Sequence, residues 1–209
     1  PSGNYIPYTD VLRLVSWAKE RNITLIVDES FGDFVESPSV VSLLEQHVLD
    51  EFPNLVVIKS ISKSYGVPGV RLGILATTDQ GISAKIGKEV SIWNINSYGE
   101  FFMQIWNKYK AQYVSSLTSI IQARKSLMQD LGTISYLNAL PSQANFIMCE
   151  VVGGKRSFDL AVELFDRYNI LIKDLSTKRG IDPKQFIRLA VRDEADNGKL
   201  VKALQEMDR

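Results

Sequence analysis

Residues 55–76 read L-V-V-I-K-S-I-S-K-S-Y-G-V-P-G-V-R-L-G-I-L-A. Two apolar runs, Leu55 to Ile58 and Val70 to Ala76, flank a turn punctuated by Gly66, Pro68 and Gly69, and Lys63 stands between the first run and that turn. Apolar runs without polar alternation predict strands buried on both faces. Upstream, Ile23 to Val27 is a third such run and ends in Asp28-Glu29. Before it, Tyr8 to Arg21 carries Val11, Leu12, Leu14, Val15 and Trp17 in a helical stripe. Helices alternating with buried strands predict an α/β fold with a mostly parallel sheet.

Downstream the composition shifts. From Tyr98 to Leu131 there is no proline and the single glycine, Gly99, lies near the start, so one long helix or two leave the sheet and end at Gly132. A strand at 145–151, a helix at 157–168, a strand at 170–173, a loop through Gly180 to Pro183, a strand at 186–192 and a helix at 197–207 then predict a smaller α+β unit. The expected division is 1–97, 98–131 and 132–209.

Composition excludes several classes of function. The 24 Lys and Arg residues balance 24 Asp and Glu, which leaves no electrostatic footprint for a nucleic-acid or membrane-surface partner. No run is apolar enough to span a membrane, no signal peptide opens the chain, and one cysteine, Cys149, permits no internal disulfide, so the cytoplasm is the expected compartment. His47 lies in a polar helical stretch and Cys149 in a strand run; neither has companions at metal-ligand spacing, and no metal is expected. Gly66, Gly69 and Gly73 follow the lysine instead of preceding it, which is not the order of a phosphate-binding P-loop.

The remaining candidates are Asp28 at one strand end, Ser60, Ser62 and Lys63 at a second, and Arg71 beside a third. Carboxyl ends of parallel strands line the ligand crevice of α/β sheets. Lys63 is open to two readings there: an amine nucleophile with a lowered pKa toward a carbonyl, or a solvated loop lysine.

Asp28-Glu29-Ser30-Phe31, Ser60-Ile61-Ser62-Lys63, Arg71-Leu72-Gly73 and Phe186-Ile187-Arg188-Leu189 occur in an order that resembles fold-type I pyridoxal-phosphate enzymes, the class I/II aminotransferases. Within them the chain is most similar to the histidinol-phosphate aminotransferase and threonine-phosphate decarboxylase branch. The resemblance implies that Lys63 forms the Schiff base with pyridoxal 5′-phosphate and shuttles a proton. It implies that Asp28 keeps the pyridine nitrogen protonated and that Ser60, Ser62 and Arg71 hold the phosphate. Arg188 would grip the substrate α-carboxylate, with Lys173 or Arg192 for a distal anion. The family's usual tyrosine is Phe31 here, and Lys173 stands where phosphate-handling relatives often have arginine. Trp93-Asn94-Ile95-Asn96 and Arg192 look more like the decarboxylase branch.

The resemblance further implies that 1–97 is the C-terminal part of the large cofactor domain and 132–209 the small domain, in a homodimer. Because the family's asparagine and upstream phosphate cup do not precede Pro1, the chain is expected to be the C-terminal portion of a longer enzyme. Three functions compete: an aminotransferase acting on a small amino acid, phosphorylated or not; a decarboxylase of a phospho-amino acid; and a non-catalytic fragment that keeps the fold.

Overall fold

The computed structural model describes residues 2–36, 42–180 and 184–208. They form two compact units, one of residues 6–117 and the other of residues 118–208 with the first few residues of the chain. The expected loop through Ile181 to Pro183 lies outside the described residues.

In the unit of residues 6–117, α1 (Tyr8–Lys19) leads into β1 (Leu25–Asp28), α2 (Gln46–Glu51), β2 (Leu55–Ser60), the single turn α3 (Ile61–Ser64), β3 (Gly73–Ala76) and α4 (Gln80–Glu89). The sheet order is β1-β2-β3. β1 runs parallel to β2, with Asp28 opposite Ile58. β3 returns antiparallel, with Gly73 opposite Ser60. The parallel expectation holds for β1–β2 alone, because the twelve residues between Ser60 and Gly73 contain no crossover helix and a short connection returns the chain antiparallel. β3 is also shorter than expected: Val70 closes a 3-10 turn and Arg71 is left-handed, so pairing begins at Gly73.

Strand periodicity divides this sheet into two different faces. Leu55 and Val57, with Leu25, Val27 and Ala76, pack against Val11 and Val15 of α1 and against Val48, Leu49 and Phe52. The opposite face buries Val56 but leaves Ile26, Ile58 and Leu75 exposed, so among the described residues the expected burial on both faces is complete on one face and partial on the other.

The proline-free stretch forms one helix, α5 (Ser97–Leu131). The other unit contains its C-terminal part, β4 (Leu137–Ala139), β5 (Phe146–Val151), α6 (Ser157–Tyr168), β6 (Lys173–Asp174), β7 (Gln185–Ala190) and α7 (Glu194–Glu206). Its sheet has the order β4-β5-β7-β6 and is antiparallel throughout. One face, with Ile147, Cys149, Ile187 and Leu189, is sealed by Leu160 and Leu164 of α6 and Leu200 and Leu204 of α7. The first residues join this unit through Gly3, whose carbonyl accepts from the Gln143 amide at 2.9 Å. Gly3 has φ +82°, and a Cβ there would lie 2.3 Å from the Ser142 hydroxyl, so no other residue fits.

Candidate functional site

Because β1 and β2 are parallel, their carboxyl ends, Asp28 and Ser60, lie at one edge of the sheet. Antiparallel β3 starts at that edge, which brings Arg71, two residues before Gly73, to it as well. α3 begins directly after Ser60 and carries Lys63 there. The topology therefore brings Asp28, Ser60, Ser62, Lys63 and Arg71 to one sheet edge. Asp28 and Ser60 also share a face, since Asp28 pairs with Ile58 and side chains alternate along β2.

Local hydrogen bonds orient these groups. The Ser30 amide donates to Asp28 Oδ1 at 2.9 Å, and the Ser30 hydroxyl accepts from the Ser60 amide at 2.9 Å. A buried serine thus fastens the end of β1 to the end of β2. Asp28 Oδ2 has no partner among the described residues. Lys63 is exposed, with Nζ 5.9 Å from the centre of the Phe31 ring, and makes no ion pair among the described residues. Ser62 is buried, and Ser60 is half-buried. Arg71 is exposed, left-handed at φ 54° and ψ 46°, and donates from Nη1 to the Pro68 carbonyl at 3.2 Å.

On the other face of β2, Lys59 forms a buried ion pair, Nζ to Asp33 Oδ1 at 2.6 Å. The Tyr113 hydroxyl donates to Asp33 Oδ2 at 2.8 Å. Burial alone would raise the Asp33 carboxyl, but its hydrogen bonds and the Lys59 charge outweigh it and hold the group below the ordinary aspartate value. Tyr65, which ends α3, stacks on Tyr113 with ring centres 4.5 Å apart and meets Trp106 at 4.3 Å. This cluster anchors the turn that carries Lys63 to α5.

In the other unit, Arg188 of β7 lies directly opposite Lys173 of β6, on the sheet face away from the Ile187 core. Facing residues of an antiparallel pair have Cβ atoms about 4.5–5.5 Å apart, so two cations there repel unless an anion joins them. The Arg188 guanidinium also lies 4.9 Å from the Phe146 ring centre. Arg192 is exposed, and its Nε donates to Asp196 Oδ2 at 2.6 Å. Cys149 is fully buried, its thiol pushed up to about 12 by desolvation, and His47 is exposed on α2. No cluster of metal-ligating side chains and no helix long and apolar enough to cross a membrane occurs among the described residues.

Sequence reasoning picked out the groups at the strand ends and missed the ones that hold them. Ser30, Asp33, Lys59 and Tyr113 carry no signal of their roles in the sequence, because their partners are distant in the chain. An acceptor carboxylate, an unpaired primary amine, two serines and an arginine at one edge match the donor and acceptor needs of pyridoxal phosphate: a ring nitrogen, an aldehyde and a phosphate dianion.

A family model described as aminotransferase class I and II matches residues 1–204. The chain is 33% identical to the CMP-5′-(3-aminopropyl)phosphonate synthase of Streptomyces rubellomurinus, over 99% of this chain and 32% of that protein. It is 29% identical to an L-serine phosphate decarboxylase of Campylobacter jejuni, over 98% of this chain and 52% of that one. The histidinol-phosphate aminotransferase of Clostridium acetobutylicum superposes with a TM-score of 0.89 at 27% identity, covering 100% of this chain and 61% of that structure. The chain therefore spans about a third of the length of the first of these curated relatives and about half of the second.

Proposed function

Because the chain belongs to the class I and II aminotransferase family, we propose that it carries the lysine-bearing part of a pyridoxal-phosphate site, in an enzyme that transfers the amino group of a small, anionic amino acid. The observation that carries this reading is the single sheet edge shared by Asp28, Ser60, Lys63 and Arg71. When bound, the pyridinium ring supplies the electron sink for a carbanion at the substrate Cα. Lys63, exposed and unpaired, is the amine that would hold the cofactor's aldehyde carbon and then move a proton at that Cα. Asp28, steadied by the Ser30 amide, is suited to keep the ring nitrogen protonated. Arg71, Ser60 and Ser62 would take the phosphate, the arginine through a charge-assisted fork.

In residues 118–208, Arg188 would take the substrate α-carboxylate, and the adjacent Lys173 a distal anion. Arg192 is engaged by Asp196, which favours Lys173 for the second role. Orientation by this clamp selects which Cα bond is broken. Decarboxylation of a phospho-amino acid is the second reading, supported by the paired cations of Lys173 and Arg188 and by the likeness to a serine phosphate decarboxylase. A homodimer is the setting the family resemblance implies.

Product analysis of the complete polypeptide, supplied with pyridoxal phosphate and phosphoserine or histidinol phosphate, separates the readings. A carbonyl product with amino transfer to a keto acid supports transamination; carbon dioxide with a shortened amine supports decarboxylation. Neither product, together with no covalent capture of the cofactor, would leave the chain a non-catalytic bearer of the fold.

A further inference from the structure

The Trp93-Asn94-Ile95-Asn96 stretch ends on a side chain that joins two elements. Asn96 precedes α5, and its Oδ1 accepts from the Gly99 amide at 2.9 Å, which caps the helix. Its Nδ2 donates to the Val70 carbonyl at 2.9 Å. The two partners fix the orientation of the amide, since a backbone N–H can only meet the oxygen and a carbonyl only the nitrogen. The helix start and the Val70 loop are pressed together at the same point. A Cβ on Gly99 would lie 3.0 Å from Leu72 Cδ2 and 3.4 Å from the Val70 carbonyl oxygen.

Between Val70 and Leu72 sits Arg71, at φ 54°. A left-handed conformation is unfavourable for a residue with a long side chain and persists only where its surroundings over-determine it. Here both flanks are tied. On the C-terminal side, the Ile61 amide donates to the Leu72 carbonyl at 3.1 Å and Gly73 pairs with Ser60. On the N-terminal side, the Val70 carbonyl is held by Asn96.

We propose that Asn96 is a positioning residue for Arg71: by clamping the Val70 carbonyl it holds the left-handed backbone that aims the guanidinium at an anion on the sheet edge. This rests on the reading above that Arg71 takes the cofactor phosphate. The cap and the clamp use different atoms of Asn96 and can be separated. Serine is an equally good cap, yet its short side chain cannot also reach Val70. Asn96→Ser therefore keeps the helix start and removes the clamp.

The test compares pyridoxal phosphate with pyridoxal, which lacks the phosphate, in the complete polypeptide. Each is titrated, reduced with borohydride and quantified by intact mass, with the thermal unfolding midpoint measured alongside. Arg71→Ala is expected to abolish most of the preference for the phosphorylated form. Asn96→Ser is expected to lower that preference about fivefold, the equivalent of one hydrogen bond, with little change in capture of pyridoxal or in unfolding midpoint. Asn96→Ala should lower the preference as much and the unfolding midpoint further, since it loses the cap too. A wild-type preference in Asn96→Ser beside a lost preference in Arg71→Ala would overturn the positioning role alone, as would an equal weakening of both ligands. An unchanged preference in Arg71→Ala would overturn the phosphate reading and the positioning role with it.

Discussion

Asp33→Ala should cost unit 6–117 about 3 kcal/mol, the range expected for removing one partner of a buried ion pair. Lys59 is 9% exposed and its Nζ lies 2.6 Å from Asp33 Oδ1. At that distance an effective dielectric of ~20 gives a gross attraction of about 6 kcal/mol, most of which offsets the desolvation of the two charges. Removing the carboxylate strands the Lys59 charge and also leaves the Tyr113 hydroxyl without its acceptor. The value sits at the lower end of the buried-pair range because both side chains keep some solvent contact. Urea unfolding followed by tryptophan fluorescence reads this unit alone, since Trp17, Trp93 and Trp106 all lie in it. A Lys59→Met, Asp33→Leu double variant should recover to within about 1 kcal/mol of the original, because no charge is then stranded. A loss under about 0.5 kcal/mol in Asp33→Ala, or a double variant as unstable as the single one, would refute the argument.

The same pair sets an acid limit. The Asp33 carboxyl is lowered by folding, so its stabilisation is complete above the unfolded value of about 4 and is lost as pH falls through the folded value; below pH 4 the fluorescence-detected stability should fall more steeply in the wild type than in Asp33→Asn. Tyr113 is shifted the other way, upward by burial, so above about pH 10 the unfolded phenol ionises first and Tyr113→Phe should flatten the alkaline decline. Cys149, pushed up to about 12 and fully buried, should resist alkylation at pH 8 until residues 118–208 unfold, and rapid labelling of the native chain would contradict its place in β5. Ser30→Ala removes the acceptor of the Ser60 amide and should cost roughly 1–2 kcal/mol in the same urea titration; a neutral result would mean the strand ends are fastened some other way.

Elements with strong period or composition were legible in the sequence. The helix over residues 8–21, the apolar strands and the proline-free stretch that became α5 appear within a few residues of their expected bounds. The candidate residues at strand ends were legible for the same reason, because a polar group closing an apolar run must emerge at a sheet edge. Short elements were not. α4 has little apolar stripe, and β6 holds only Lys173 and Asp174, its expected start at Ile170 being outside the ladder. The antiparallel direction of β3 is not legible in the sequence, because strand direction depends on connection length, which the apolar pattern does not encode. Ser30, Asp33, Lys59, Asn96 and Tyr113 were illegible for a different reason: each acts through a partner set by the fold, as far away as the 80 positions between Asp33 and Tyr113.

The central claim is that Lys63 is the amine of a pyridoxal-phosphate site. Its most direct test is borohydride reduction of the complete polypeptide with stoichiometric pyridoxal phosphate, followed by peptide mapping. The account predicts one modified peptide carrying the phosphopyridoxyl group on Lys63, with the modification absent from Lys63→Ala. Label spread over exposed lysines such as Lys85 and Lys88, and unchanged by Lys63→Ala, would contradict it.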